Sequence, residues 1–218
     1  MITYTVTTIA QAHEKMMREI IWKHDEITTE DGEHTWESDT IGIEITNPLE
    51  DMIHYKSSFG KQRCDEYTEQ LLKGTKSEFD YTYNQRLFGY EVHAGDGEHE
   101  YVNQIESLIN HLKQNPQTRR AMAITWSPKY DCFDNKYLGN VPCLQLLQYT
   151  IRSGKLHCKA IFRSNDVLSA FGPNAYGLVR LQEHISKELR YPVGTYTHIA
   201  LIPHVYPIRD KADLQRWM

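Results

Sequence analysis

Cys143 has the setting in this chain that best suits nucleophilic chemistry. It follows a proline in Asn-Val-Pro-Cys-Leu-Gln, directly ahead of a predicted strand. A cysteine at the mouth of a strand can present its sulfur to a cleft. It becomes a nucleophile where positive charge or hydrogen-bond donors stabilise the thiolate. Free cysteines are more often simply buried, so this setting alone leaves a structural cysteine as the commoner explanation.

A polar run follows the predicted strand that ends at Phe162, beginning Arg163-Ser164-Asn165-Asp166. A guanidinium there can pair with a phosphate or with a thiolate, and the Ser164 hydroxyl can donate to a phosphate oxygen. A solvated strand end is the alternative. The run therefore indicates an anion site only if other groups converge on it.

Three further places carry groups that could bind a nucleotide. Asn174 opens a predicted helix, where asparagine usually caps, but its amide also offers an acceptor and donors to a base edge. Arg119 and Arg120 precede a predicted strand and suit a phosphate or a solvated pair. His204 and Tyr206 would share one face of a strand and could bind a sugar hydroxyl, or could line a sheet with internal partners.

Composition limits the class of protein. The 218 residues suit one domain spanning 1–218, and a net charge of -5 disfavours a nucleic-acid partner. No apolar run approaches the ~18 residues of a membrane span, and no signal peptide is evident at the start. The four cysteines form no Cys-x-x-Cys pair and no secreted disulfide pattern, and the histidines show no metal-ligand spacing. We expect a cytoplasmic protein with no metal and no membrane contact.

The elements that must position these residues follow from apolar periodicity and turn signals. Residues 23–38 are predicted to be a polar loop, and Gly74 is predicted to end a helix. The other predicted elements are helices over 9–22, 65–72, 101–112 and 174–189, strands over 40–46, 121–126 and 193–205, and a hairpin of strands 144–151 and 156–162. This order predicts an α+β fold: a single domain with a mixed, largely antiparallel sheet flanked by helices.

Taken together, the motifs resemble those of the thymidylate synthase family. The resemblance covers residues 116–206 and is most specific in the spacing from Cys143 to the Arg-Ser-x-Asp run. The matching motifs, in order and at nearly the family's spacing, are Arg119-Arg120, Trp126, Pro142-Cys143, Arg163-Ser164-x-Asp166-Val167, Asn174 and His204-x-Tyr206. The resemblance implies a thymidylate synthase-like fold.

For the nucleotide, the resemblance implies a role for each motif. Cys143 would be the nucleophile that attacks C6 of the pyrimidine. Arg163 and Ser164 would bind the phosphate of the nucleoside monophosphate. Asn174 would read the base edge and take part in catalysis. The motif residues that would hold the deoxyribose hydroxyl are His204 and Tyr206.

The other implied roles concern the partner subunit and the one-carbon carrier. Arg119 and Arg120 resemble the pair that reaches the phosphate bound by a neighbouring subunit, which implies a homodimer. Asp166 would contact the pterin of a reduced carrier. Tyr83, in Tyr-Asn-Gln-Arg, would match a catalytic tyrosine of the family. The carrier would be 5,10-methylene-tetrahydrofolate or a methylene-tetrahydromethanopterin-type compound.

The implied reaction is transfer of a one-carbon unit to C5 of a pyrimidine nucleotide, with dUMP to dTMP favoured. Uracil presents an N3 donor and an O4 acceptor, and the amide of Asn174 can answer both. An asparagine can also invert its amide and meet cytosine, so 5-hydroxymethylation of CMP or dCMP stays open. A catalytically silent nucleotide- or RNA-binding relative is a third possibility, and Cys143 argues against it.

The chain departs from the family's usual pattern in four places. Leu144 stands where most members have histidine, which removes a polar group from the site. The 27–32 loop lacks the usual phosphate-binding arginine, for which Arg63 or Arg86 could substitute. Only twelve residues follow Tyr206. The family's catalytic glutamate has no clear match, although Glu66 and Glu69 lie on the expected helix; together these features resemble a short branch found in methanogenic archaea, which implies a methanopterin-type carrier.

Overall fold

A computed structural model of the protein describes residues 1–75, 82–95, 98–132 and 141–218. Its helices are α1 (Ile9–Trp22), α2 (Lys61–Lys73), α3 (Tyr83–Phe88), α4 (Gln104–Gln114), α5 (Pro128–Asp131), α6 (Phe171–Leu189) and α7 (Lys211–Leu214). Its strands are β1 (Ile2–Val6), β2 (Asp25–Thr28), β3 (His34–Glu37), β4 (Ile41–Ile45), β5 (Tyr90–Gly95), β6 (Glu98–Val102), β7 (Met122–Ile124), β8 (Leu144–Arg152), β9 (Lys155–Phe162), β10 (Asn165–Asp166), β11 (Val193–Ala200) and β12 (Pro203–Val205). No helix within the described ranges has the length and apolarity needed to cross a membrane.

The main sheet has six strands in the order β1-β4-β11-β9-β8-β7. Its pairs mix parallel and antiparallel, with antiparallel pairing between β4 and β11, β8 and β9, and β7 and β8. The predicted α+β class is therefore confirmed. The predicted hairpin is β8–β9, and Ser153 and Gly154 at its turn both have positive φ, 49° and 71°. A two-residue turn with positive φ at both positions matches the twist of the flanking strands.

One face of this sheet packs against helices and forms the core. Alternate residues of β8, β9 and β11 are buried on that face, including Tyr149, Phe162 and Tyr196. Helix α6 covers them, and α1 contributes its apolar stripe, as the predicted helix over 9–22 requires. The predicted strand 40–46 and helix 65–72 are also present, as β4 and α2, and Gly74 ends α2 with φ 82°.

A second sheet, in the order β10-β12-β3-β2, corrects the prediction of a polar loop over 23–38. The segment forms an antiparallel hairpin, with Gly32 at φ 78° in its turn. Strand β2 is exposed along its whole length, so it has no alternation of apolar and polar residues that a sequence could show. The pairing of β3 with β12 and the stacking of Trp36 on His24, 4.2 Å apart, hold it in place.

Four element boundaries were also predicted wrongly. Helix α2 begins at Lys61, four residues before its predicted start. Helix α4 begins only at Gln104, because Asn103 caps it: the Asn103 side chain accepts from the Glu106 N–H at 3.0 Å. The two residues before Asn103, which were predicted to be helical, belong to β6. Helix α6 begins three residues before Asn174. The predicted strand 193–205 is two strands in different sheets, broken ahead of Pro203, which has no N–H to continue the ladder.

The second sheet brings two candidate site residues together. Strand β10 pairs in parallel with β12, and Asp166 is the register partner of His204. Strand β10 follows β9 after only Arg163 and Ser164. The ends of the two sheets therefore meet beside the start of β8, where Cys143 lies.

Candidate active site

Cys143 lies half-buried at the entrance to β8, opposite the end of β9. Its carbonyl accepts a hydrogen bond from the Arg163 N–H at 2.8 Å. The Arg163 guanidinium donates through Nε to the Pro142 carbonyl at 3.0 Å and through Nη2 to the Val141 carbonyl at 2.9 Å. A guanidinium has five N–H donors, so three remain for a ligand after these two. Arg163 thus holds the segment ahead of the cysteine and still offers donors and charge.

The environment of Cys143 favours the thiol over the thiolate. Burial raises the pKa of its thiol above the ordinary value of 9.0, the positive charge of Arg163 opposes that rise, and the charge of Asp166 adds to it. A thiolate costs more in a poorly solvated place, and a nearby cation offsets part of that cost. Arg163 is therefore the group in this chain that most directly favours ionisation of Cys143.

The hydroxyl of Tyr83 also lies beside Cys143. It accepts a hydrogen bond from the main-chain N–H of Leu144 at 3.1 Å. Thr82 and Gln85 form a capping box that starts α3 at Tyr83 and fixes where the ring begins. The side chain of Leu144 is 0% exposed, so the residue that replaces the usual histidine faces the core. The site therefore receives a polar group here from Tyr83.

Ser164 and His204 lie together at the junction of the two sheets. The Ser164 hydroxyl is 3.3 Å from Nδ1 of His204, which is also 3.2 Å from the Ile202 carbonyl. A carbonyl can only accept, so Nδ1 is the donor in its contact with Ile202. Tyr206 follows β12, and its ring stands edge-on to His204 with centroids 5.1 Å apart. The two residues were predicted to share one face of a strand; Tyr206 instead lies just past the end of β12, and the two rings are still neighbours.

Asp166 is held by a residue that the sequence did not single out. Its carboxylate accepts from the Ser169 N–H at 3.0 Å and from Arg209 Nη2 at 2.8 Å. Arg209 lies over the ring of Tyr206, 3.7 Å from the centroid, and also pairs with Asp210. The only signal in the sequence is an arginine three residues after Tyr206. Arg209 places a fixed positive charge next to Asp166, the carboxylate that is predicted to contact the carrier.

The charge state of Asp166 depends on these neighbours. Burial raises the pKa of the carboxyl above its ordinary value of 3.8, while the Ser169 N–H, His204 and Arg209 lower it. The net direction is upward, so burial is the largest influence. Removing Arg209 would leave the carboxyl still easier to protonate.

Asn174 is the fourth residue of α6 and does not cap it. Its main-chain N–H donates to the Ala170 carbonyl at 3.0 Å, and its side chain is nearly buried, at 7% exposure. The side-chain Oδ1 accepts from the hydroxyl of Tyr67 on α2 at 2.7 Å. Glu66 and Glu69, the two glutamates considered from the sequence, are exposed on the outer side of α2. The face of α2 toward Asn174 carries Tyr67.

The other arginines considered from the sequence lie elsewhere. Arg86 is largely buried and pairs with Asp131 at 2.8 Å, while Arg63 is exposed and lies over the ring of Phe59. Each of these arginines thus lies against another side chain. Neither contact by itself marks the residue as a replacement for the phosphate-binding arginine missing from the 27–32 loop.

Arg119 and Arg120 are not brought to Cys143. Both are exposed ahead of β7, where Gln148 donates to the Arg119 carbonyl at 3.1 Å and the Tyr149 N–H donates to the Ala121 carbonyl at 2.9 Å. They therefore lie beside a part of β8 about six residues from Cys143, roughly 20 Å at the rise of a strand. They line an open depression of about 390 Å³ with His111 and Thr118.

Comparison with known proteins gives the family of this chain. The family model described as thymidylate synthase matches residues 5–214. A protein of Methanocaldococcus jannaschii named "Putative thymidylate synthase" is 43% identical over 93% of this chain and 90% of its own length. A protein of the same name from Methanosarcina barkeri is 36% identical over 86% of this chain and 82% of its own length. Another from Methanothermobacter thermautotrophicus is 31% identical over 97% of each chain.

The match runs from the end of β1 through α7 and includes every element that positions the residues described above. The family is one of methyltransferases that act on a nucleotide with a methylene-folate-type one-carbon carrier. With residues 5–214 matched, and relatives above 30% identity aligned over most of their length, this chain belongs to the thymidylate synthase family.

Proposed function

We propose that this protein converts dUMP to dTMP through a covalent bond between Cys143 Sγ and C6 of the base, using residues 1–218 as one catalytic domain. The observation that carries the proposal is the convergence of Cys143, Arg163, Ser164 and His204 where the two sheets meet. There, a half-buried sulfur lies beside a guanidinium with free donors. That combination suits addition of a thiolate to a base whose phosphate the same arginine binds.

The chemistry explains why these residue types are needed. C5 of uracil is a poor nucleophile, and addition of the Cys143 thiolate at C6 places an enolate across C5, C4 and O4. The enolate carbon can then attack the one-carbon unit of the carrier. Donors near O4 stabilise the enolate, and the amide of Asn174 is suited to that role. The C5 proton is then lost as the bond between the one-carbon unit and the carrier nitrogen breaks, which leaves an exocyclic methylene group at C5. Hydride from the carrier adds to that carbon while the sulfur leaves C6, and the product carries a methyl group.

For the carrier side we propose Asp166, with Arg209 as its partner. A carboxylate that accepts from the amino and N3–H groups of a pterin must stay ionised, and Arg209 at 2.8 Å favours that state. The carrier we propose is a methylene-tetrahydromethanopterin-type compound, with 5,10-methylene-tetrahydrofolate as the alternative. The relatives from methanogens support that choice.

We also propose that the active form is a cytoplasmic homodimer. The uncovered face of the main sheet carries half-exposed apolar side chains on β7, with Met122 at 41% and Ile124 at 44% exposure. A second copy covering that face would bury them. Arg119 and Arg120 lie too far from their own Cys143 to meet the same nucleotide, so a phosphate held by the other subunit is their natural target. All four cysteines are free, as a reducing compartment requires.

Hydroxymethylation of CMP or dCMP remains the second candidate. It shares the Cys143 adduct and differs in that water, instead of hydride, adds to the exocyclic carbon. The observation in its favour is the buried side chain of Leu144, which leaves no polar group directly after the nucleophile. The mass of the product separates the two reactions.

The deciding experiment is trapping with 5-fluoro-dUMP. Fluorine at C5 cannot leave as a proton does, so the protein, the nucleotide and the methylene carrier should remain joined. We expect an adduct by intact mass with either the methanopterin-type or the folate carrier, on the peptide that contains Cys143. Cys143→Ser should form none, while Cys132→Ser should form it normally. Absence of an adduct with both carriers would sink the proposal, and conversion of dCMP or CMP to a hydroxymethyl product would favour the second candidate.

A further inference from the structure

Helices α2 and α6 approach closely beside the base-reading residue. A Cβ added to Gly177 would lie 2.9 Å from Cε1 and 3.0 Å from Cδ1 of Tyr67, and 3.3 Å from a methyl of Leu71. Such distances are shorter than ordinary contacts, so the absence of a side chain at Gly177 is what allows the Tyr67 ring to pack against α6 here. The ring is therefore held by packing, and its hydroxyl has little freedom to move away from Asn174.

That hydroxyl donates to Asn174 Oδ1 at 2.7 Å. A phenolic oxygen is a better donor than acceptor, because its lone pair is delocalised into the ring. An amide beside it is therefore most stable with its oxygen toward the phenol. The contact selects one of the two orientations that an asparagine amide could take.

With Oδ1 turned to Tyr67, the amide nitrogen is the atom left for a ligand. Among the described parts of the chain, Nδ2 of Asn174 has no recorded hydrogen-bond partner, although the residue is only 7% exposed. An Nδ2 with two N–H donors suits a carbonyl oxygen. The second lone pair of Oδ1 can still accept an N–H from the same ligand.

We propose that Tyr67 is a positioning residue that determines base specificity: by fixing the Asn174 amide, it selects O4 and N3–H of uracil over the N4 amino group and N3 of cytosine. This inference rests on the proposed function and deepens it. Cytosine would place an amino donor against the Nδ2 donors. Two donors that face each other leave buried hydrogen-bonding groups unpaired, which disfavours cytosine by roughly 10- to 100-fold in binding.

The test is the variant Tyr67→Phe, which removes one oxygen and keeps the ring on Gly177. Calorimetric binding of dUMP and of dCMP is measured without any carrier, and release of tritium from the C5-labelled nucleotides is measured with it. We expect the wild type to prefer dUMP, and we expect Tyr67→Phe to reduce that preference roughly 10-fold, in part by gaining affinity for dCMP.

The matched control is Tyr176→Phe. The Tyr176 hydroxyl donates to Asp65 at 2.6 Å, so it also joins α6 to α2 but does not touch Asn174. Its removal should lower the melting temperature about as much as Tyr67→Phe and leave the dUMP to dCMP ratio unchanged. Gly177→Ala gives a second route, because it displaces the Tyr67 ring without removing the hydroxyl and should also weaken discrimination.

The outcomes separate this inference from the proposed function. If Tyr67→Phe binds dUMP and dCMP in the wild-type ratio, or if the wild type prefers dCMP, the role of Tyr67 is overturned whatever the adduct experiment gives. If the wild type discriminates through Tyr67 but forms no adduct with 5-fluoro-dUMP, the positioning role stands and the catalytic proposal falls.

Discussion

Arginines lie in two regions, beside Cys143 at the start of β8 and ahead of β7, and the two regions hold them differently. At the cysteine end, Arg163 is tied to two main-chain carbonyls and lies beside a half-buried sulfur. At the other end, Arg119 and Arg120 are exposed, and neither guanidinium has a recorded ion pair within the described ranges. A guanidinium fixed by its own chain can shape a site, whereas an exposed pair is free to serve a ligand bound elsewhere. The proposed homodimer, with a phosphate site divided between two copies, would use both settings.

The largest effect should come from removing the exposed pair. Arg119→Gln with Arg120→Gln removes two charge-assisted contacts to phosphate, and we expect the KM for the nucleotide to rise about 100-fold or more. Melting temperature should change little, since both side chains are exposed. Steady-state kinetics with thermal unfolding on the same samples checks both expectations.

Subunit mixing tests whether these arginines act across the dimer. When the double variant is refolded with an equal amount of Cys143→Ser, heterodimers combine one intact cysteine with one intact arginine pair. At a nucleotide concentration near the wild-type KM, roughly a quarter of the sites should then be active, although each parent is nearly inactive there. No recovery of activity on mixing would mean that the arginines serve their own subunit or none.

The next largest effect should come from Arg163, which influences how the reactivity of Cys143 depends on pH. The pKa of the thiol is raised by burial and held down by Arg163. The reactive thiolate should therefore increase about tenfold per pH unit up to a pKa above 9.0, and Arg163→Gln should move that rise to higher pH. Iodoacetamide labelling of the Cys143 peptide at a series of pH values gives the profile.

Two variants sharpen that result. Arg163→Lys keeps the charge and should shift the profile less than Arg163→Gln does. Arg152→Gln removes an arginine that also donates to main-chain carbonyls, at the far end of the same hairpin, and should not shift it. An identical labelling profile for Arg163→Gln and the wild type would remove Arg163 from any part in activating the sulfur.

The smallest effect should come from Arg209, which is fixed by ion pairs and has a part of its guanidinium exposed. Arg209→Gln should raise the carrier KM about 10-fold with little change in nucleotide binding. Because the pKa of Asp166 is raised by burial and lowered by Arg209, the variant should also lose carrier binding at a higher pH as the solution is acidified. Carrier titrations at a series of decreasing pH values measure the shift.

Arg216→Gln is the matched control for Arg209. Arg216 lies in the same segment after Tyr206 and contacts Asp213 and the Ser57 carbonyl, away from Asp166. It should leave the carrier KM unchanged. Equal effects of the two variants would show that Arg209 acts by holding the segment and not through the carboxylate.

The local sequence pattern was enough to predict much of the fold. The hairpin over 144–162 was predicted because its strands are apolar and its Ser-Gly turn is a local signal, and helix 9–22 was predicted to the residue. The hairpin over 25–37 was not, because its exposed strands have no apolar alternation and depend on pairing with β12. Helix starts at 104 and 171 were missed by three residues, since each is set by a cap or by contacts outside the periodic segment.

The sequence by itself determined the family resemblance and the identity of the candidate nucleophile, because those depend on residue types in a fixed order along the chain. Only the tertiary structure brought Arg209 to Asp166, 43 residues apart, and Tyr67 to Asn174, 107 residues apart. Those contacts depend on which faces of packed helices and strand ends meet in space. The tertiary structure also places Arg119 and Arg120 about six strand residues away from Cys143. That separation follows from the register of the strands, which cannot be obtained from the spacing of residues along the chain.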